Sequence, residues 1–222
     1  MALQLGGNGG TIAEVEAATR ALRATLKSAD YGALGSYAKA MRNGGSVMAA
    51  GLAGASPIFS FRYGGANVCQ VRRIRMSMAA GGTAFAAGTA MFDFFVARGF
   101  TASDTGGTAG TISANNAKLK TAMTGSTGIS DFRISQTATL SAGTRTLDTD
   151  PFASIIGGVP AVAGQSIIPP NTPVWDPRPG EDLLSLATNE GFVCQATVPA
   201  TGTWNFAIAV EWAEYIAASV VP

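Results

Sequence analysis

From Trp204 to Trp212 the chain alternates, with Trp204, Phe206, Ile208, Val210 and Trp212 on one side of an extended backbone and Asn205, Ala207, Ala209 and Glu211 on the other. A strand turns successive side chains to opposite faces, so this run specifies a strand half-buried against a core. Trp204, Phe206, Ile208 and Val210 are therefore expected in that core. The same period recurs more weakly upstream. Phe59, Phe61 and Tyr63 flank Ser60 and Arg62; Phe92, Phe94 and Val96 flank Asp93 and Phe95; Ile134 sits between Arg133 and Ser135. In Val71–Met78 the residues Ile74, Met76 and Met78 oppose Arg73 and Arg75, which read as a solvated or partner-facing strand face.

Turn-forming clusters separate these runs: Gly64-Gly65, Gly81-Gly82, Asp104-Thr-Gly-Gly, Gly125-Ser-Thr-Gly128, Gly157-Gly158, Pro169-Pro170, Pro177-Arg-Pro-Gly180 and Gly202. Strands punctuated in this way predict a mainly β fold, a β-sandwich or jelly-roll-like domain over 51–215, with a short tail at 216–222. Residues 1–50 are expected to form an N-terminal arm with an amphipathic helix at about 11–28. Thr11-Ile-Ala-Glu14 fits a capping box, and Val15, Ala18, Leu22 and Leu26 recur at helical spacing. That stripe must be covered, either by the chain's own domain or by a neighbouring subunit. A second short helix is expected at Asn115–Met123, from the spacing of Leu119, Ala122 and Met123.

Composition narrows the chemistry. The 222 residues include no histidine, which removes Ser-His-Asp and Cys-His nucleophile systems and histidine-ligated metals. Fifteen Lys and Arg against fourteen Asp and Glu give a net charge of +1, so a nucleic-acid partner is not expected. Cys69 and Cys194 lie in apolar, strand-like contexts and are expected reduced and buried, with a single bridge as the alternative. Met1–Gly7 has no basic n-region followed by an apolar stretch, and the apolar run Val47–Phe61 is broken by Gly51, Gly54 and Pro57. A soluble protein with no signal peptide and no membrane partner is the expectation.

Several motifs invite a catalytic or ligand-binding reading, and each has a simpler one. Asp104-Thr105-Gly106 has the letters of an aspartic-protease loop, which needs a second carboxylate sharing a proton; a Gly-rich turn accounts for it better. Asp148 and Asp150 could offer two cation ligands, too few for a calcium site, and Pro151 marks a turn. Glu181 or Asp182 with Glu190 or Glu211 could form a glycosidase pair, and Tyr63, Trp175 or Trp212 could stack on sugars. Nothing in the spacing favours the acid pair over ordinary loop and edge charges, and aromatics at strand spacing more often belong to a core. No catalytic, cofactor-binding or metal-binding residue is assigned, and no cofactor is implied.

Several segments together resemble a small structural protein of tailed bacteriophages. They include Gly51-Leu-Ala-Gly-Ala-Ser-Pro-Ile-Phe-Ser-Phe-Arg62, Phe95-Val-Ala-Arg-Gly-Phe-Thr-Ala-Ser-Asp-Thr-Gly106, Asn115-Asn-Ala-Lys-Leu119 and Gly143-Thr-Arg-Thr-Leu-Asp148. Towards the end lie Arg178-Pro-Gly-Glu181, Asn189-Glu-Gly-Phe-Val193, Thr197-Val-Pro-Ala-Thr-Gly-Thr-Trp204 and Val210-Glu-Trp-Ala-Glu214. The resemblance implies a non-enzymatic virion protein, assembled in the host cytoplasm, of the capsid decoration or cement type. Its implied partners are the major capsid protein or other virion proteins, and a homo-oligomer, with a trimer favoured. Val15, Leu22 and Leu26 are the expected docking residues. A tail, baseplate or fibre component is the alternative within that class; a carbohydrate-binding module or hydrolase is the alternative outside it.

Overall fold

The computed structural model describes residues 13–15, 22–24, 33–44, 47–49, 51–112, 117–120, 122–178 and 181–216. Every regular element among them is a β-strand. The chain divides into two units, Met1–Gly32 and Ala33–Pro222.

In the first unit β1 (Ala13–Val15) pairs antiparallel with β2 (Leu22–Ala24), in the register Ala13↔Ala24, Glu14↔Arg23 and Val15↔Leu22. The helix expected at about 11–28 lies largely outside the described residues; the parts that are described, 13–15 and 22–24, are strand. Val15 and Leu22 are cross-strand partners there, while Leu26 and the rest of the span lie outside the described residues.

The second unit contains β3 (Ala33–Arg42), β4 (Met48–Ala49), β5 (Ser56–Tyr63), β6 (Val68–Ala80), β7 (Gly88–Arg98) and β8 (Thr108–Ala109). There follow β9 (Ile129–Ile134), β10 (Thr146–Leu147), β11 (Ala153–Val159), β12 (Ser166–Trp175), β13 (Leu184–Leu186), β14 (Glu190–Thr197) and β15 (Thr203–Tyr215). One sheet runs β12-β6-β15-β3, with β13 also on β6 and β4 also on β15. The other runs β10-β7-β14-β5-β9-β8, with β11 also on β7. All pairings are antiparallel. β3 and β4, which precede residue 51, belong to the same sheet as β6 and β15.

The two sheets share one core, in a sandwich-like arrangement. Trp204, Phe206, Ile208, Val210 and Trp212 are buried on the inner face of β15. Opposite them lie Phe59 and Phe61 of β5, Phe92 and Phe94 of β7, Phe132 of β9 and Phe192 of β14. Rings meet across the layers: Phe61 with Trp212 at 5.6 Å and 74°, and Phe92 with Trp204 at 5.8 Å. Such aromatic pairs add about 0.5–1.5 kcal/mol beyond the area they bury. Ile74, Met76 and Met78 of β6 are buried, whereas Arg73 and Arg75 keep about a third of their side chains exposed.

Two turn-like segments prove to be strands. Gly157-Gly158 lies within β11, where a Cβ on Gly157 would sit 2.8 Å from Ile167 Cγ2, so glycine allows β11 and β12 to approach. Pro169, Pro170 and Pro173 fall in β12, which pairs on one side with β6 through several register shifts. Proline removes a ladder donor and is tolerated on an irregular edge of this kind.

The short helix expected at Asn115–Met123 is also corrected where it is described. Residues 117–119 run along the outer edge of β3, with the Ala38 N–H donating to Ala117 O and the Leu119 N–H to Ser36 O. Their backbone groups serve the sheet edge, so they are not available to a helix.

Candidate functional site

Three polar arrangements interrupt the apolar plan, and a shallow recess adds a fourth feature. The first arrangement is inside the core. Inward-facing positions of β15 continue past Trp212 to Glu214, which is only 3% exposed. The Ser126 hydroxyl donates to its carboxylate at 2.5 Å, and backbone groups of Gly128 and Thr127 also hydrogen-bond to it. Burial raises the Glu214 pKa above the ordinary glutamate value, and the Ser126 and backbone hydrogen bonds counter part of that rise. Burial, reinforced by Glu214, pushes the Tyr37 hydroxyl to about 12 and raises the Cys69 thiol well above its usual value. Tyr37 Oη donates to Thr124 O at 2.8 Å. Together these contacts fasten the 124–128 segment over one end of the core, a structural anchor with little access to solvent.

The second arrangement lies on the outer face of the other sheet. Ala97 and Val193 point away from the main core and pack with Phe100 and Leu147 in a separate small cluster. The 99–107 and 140–148 segments provide its cover. Arg62 donates to Phe100 O at 2.6 Å and to Ser103 Oγ at 3.1 Å, and Arg133 donates to Gly106 O at 2.8 Å. Thr105 and Ser141 exchange backbone hydrogen bonds at 2.9 and 3.0 Å. Beneath them Asp104, fully buried, accepts the Gly143 N–H at 2.9 Å and pairs with Arg145, whose side chain is 4% exposed. The Arg145 guanidinium also lies over the Phe100 ring, 5.2 Å from its centroid. Burial lowers the Arg145 pKa to about 10, which leaves it charged at neutral pH. The buried partner of Asp104 is a cation, not a second acid with which it could share a proton. Asp104-Thr105-Gly106 is thus a loop clamp.

The third arrangement is exposed charge. Asp148 takes a two-pronged bond from Arg98 at 2.8 and 3.0 Å, which holds its pKa below the usual carboxylate range. Glu190 accepts from Arg98 at 3.2 Å and from the Ala187 N–H at 2.8 Å. Glu181 accepts the Arg178 N–H at 2.7 Å within its own turn. Glu211 lies 3.6 Å from Arg73 and 3.5 Å from Arg75, and Arg73 bonds Asp176 at 2.8 Å. Glu181, Glu190 and Glu211 are each committed to a local partner. Among the described residues, no group of three or more Cys, Asp or Glu side chains could hold a metal ion.

The aromatics considered for sugar stacking do not form a platform. Tyr63 and Trp212 are fully buried, and half-buried Trp175 meets Phe152 edge to face at 5.5 Å. Cys69 and Cys194 are free and buried.

The fourth feature is a recess of about 410 Å³ on the outer face of the β12-β6-β15-β3 sheet. Arg42, Asn43 and Gly44 border it, together with Ser77, Met78 and Ala79 of β6 and Asn205, Phe206 and Ala207 of β15. The Asn43 side chain fixes this end of the sheet by accepting the Phe206 N–H at 3.0 Å.

Sequence reasoning did not single out Glu214 as a buried acid, although extending the Trp204–Trp212 alternation by one step places it on the core face. Arg145 has no comparable signal, being 41 positions from Asp104. A scan of protein-family models, a search of curated proteins and a search of solved structures each returned no match to this chain.

Proposed function

We propose that this chain is a non-enzymatic structural protein of a tailed-bacteriophage virion, acting as a capsid decoration or cement subunit. The observation that carries the proposal is the strand order. Taking β3, β5, β6, β7, β11, β12, β14 and β15 as eight successive strands, one sheet holds the first, third, sixth and eighth. The other holds the second, fourth, fifth and seventh, with β15 between β3 and β6 and β14 between β5 and β7. That interleaving supports reading the sandwich as a jelly roll, an architecture used by viral capsid domains as well as lectins and cupins. Fold alone does not specify function. The phage-like segments add weight to the virion reading, and the burial of Tyr63 and Trp212 weighs against the lectin one.

In this reading the protein works by binding to the major capsid protein and to its own copies, as a trimer or another closed ring. The N-terminal segment with Val15, Leu22 and Leu26 reaches neighbouring chains. Each ~100 Å² of apolar surface buried contributes roughly 2.5 kcal/mol before association costs. A map of the particle, with copy number measured on a quantitative gel, tests the proposal. Hundreds of copies on the outer shell are expected; a handful at the tail would replace the decoration role with the tail role, and absence from the particle would overturn both. Deleting residues 1–30 is expected to abolish incorporation without unfolding the β unit.

A further inference from the structure

The recess on the outer face of the β12-β6-β15-β3 sheet has the chemistry of a carboxylate receptor. Arg42, Ala207 and Ser77 are aligned across β3, β15 and β6, and Asn205 pairs with Ala79 in the adjoining row. Neighbouring strands lie about 4.8 Å apart. Arg42 and Ser77 therefore stand on opposite sides of the Ala207 methyl, with Ala79 and Asn205 beside it. Met78 and Phe206 send their side chains into the core, so they line the recess with backbone. The floor is small and apolar, and the walls carry donors.

Those donors are uncommitted. Among the described residues the Arg42 guanidinium, the Ser77 hydroxyl and the Asn205 amide have neither ion pair nor hydrogen bond. Elsewhere on this face the charged groups are engaged: Arg73 and Arg75 with Glu211, Arg73 with Asp176, and Arg72 with Ser36 and Tyr215. Among the described residues this face carries four arginines (Arg42, Arg72, Arg73, Arg75) against two carboxylates (Asp176, Glu211). Its surplus is positive, and among the described residues Arg42 has neither an acid nor another hydrogen-bond partner.

We infer that this recess docks an acidic segment of a partner polypeptide, with one Asp or Glu carboxylate seated between Arg42, Ser77 and Asn205. Guanidinium and carboxylate match in a two-pronged geometry, and the neutral donors can take the remaining lone pairs. The small floor admits the backbone and short side chains beside the acid. A volume of about 410 Å³ falls in the range of ligand sites and exceeds the need of a lone ion. A nucleic-acid backbone fits poorly, since repeated phosphates call for a row of free cations and this recess offers one. The inference rests on the geometry of this sheet and holds whether or not the virion reading does.

The test uses the full-length, isotopically labelled protein and three probes: capped Ala-Glu-Ala, capped Ala-Gln-Ala and acetate. The expected result is saturable movement of the amide signals of 43–44, 77–79 and 205–207 with the glutamate peptide. Binding should weaken at least about tenfold with the glutamine peptide, with acetate, and in Arg42→Ala. Ala207→Leu, which fills the floor from the solvent side, should abolish it while leaving the remaining spectrum in place. Equal responses to the glutamate and glutamine peptides, an unchanged response in Arg42→Ala, or no response would overturn the inference. Acetate binding as tightly as the peptide would reduce the recess to a small-anion site and overturn the docking role.

Discussion

The buried pair Asp104–Arg145 makes the sharpest energetic prediction. Asp104 is fully buried and the Arg145 side chain is 4% exposed, so removing either partner leaves an opposite charge in a medium that solvates it poorly. Breaking a buried pair from one side typically costs about 3–5 kcal/mol. Asp104→Ala also takes the acceptor from the Gly143 N–H, and Arg145→Met removes the cation over Phe100. The double variant strands no charge; it loses the Gly143 hydrogen bond and some packing, together about 1–3 kcal/mol. In a domain of this size about 1 kcal/mol moves Tm by roughly 2–4 °C. Each single variant should therefore melt roughly 6–20 °C lower, and the double variant should recover much of that loss. Calorimetry on the four proteins measures the coupling directly. Hydrogen exchange at the Thr105 and Ser141 amides should accelerate in both single variants, since those amides bond each other across the clamp. A double variant destabilised by the full sum of the singles would refute the argument, because it would mean that neither charge is held out of water.

Three further outcomes concern Glu214, Arg98 and Gly191. Glu214 has a raised pKa in the folded state, so the fold binds its proton more tightly than the unfolded chain does, and stability falls as pH rises from the ordinary glutamate value through the raised one. Glu214→Gln should flatten that part of the Tm-against-pH curve, with the variant gaining on the native protein as pH increases; parallel curves would exclude the effect. Arg98→Ala should change stability by less than about 1 kcal/mol despite contacts to Asp148 and Glu190, because Arg98 is 58% exposed and its pairs are screened, and a denaturant titration reads this out. Gly191→Ala would place a Cβ 2.0 Å from the Phe61 carbonyl oxygen, between β14 and β5; overpacking of this kind costs about 1–3 kcal/mol or more and should appear as a lower thermal midpoint.

How much of this was legible depended on how local each signal was. β15 could be read from five residues because burial on one face of a strand writes itself at period two. β5, β6 and β7 were legible for the same reason. Around Val15 and Leu22 only the paired residues 13–15 and 22–24 are described, so most of the span read as helical lies outside the described residues. Pro169 and Gly157 were assigned to turns, yet they occupy strands where a sheet edge and a close approach between β11 and β12 suit them. The Asp104 clamp and the Arg42 recess were beyond reach for a different reason. Arg145 meets Asp104, and Ser77 and Asn205 meet Arg42, only after strands distant in sequence have paired.

The positions of β14 and β15 have a consequence for how the molecule comes into being. β15 separates β3 from β6, and β14 separates β5 from β7. Until residues 190–215 have been synthesised, β6 can pair with β12, β7 with β11 and β5 with β9, but the two parts of each sheet have no strand to join them. Closing contacts of such long sequence separation place folding of this class in the millisecond-to-second range. A chain that stops short of β14 leaves two split half-sheets with open edges, a natural target for proteolysis or aggregation. The late strands thus join the two halves of each sheet, and neither sheet is continuous without them.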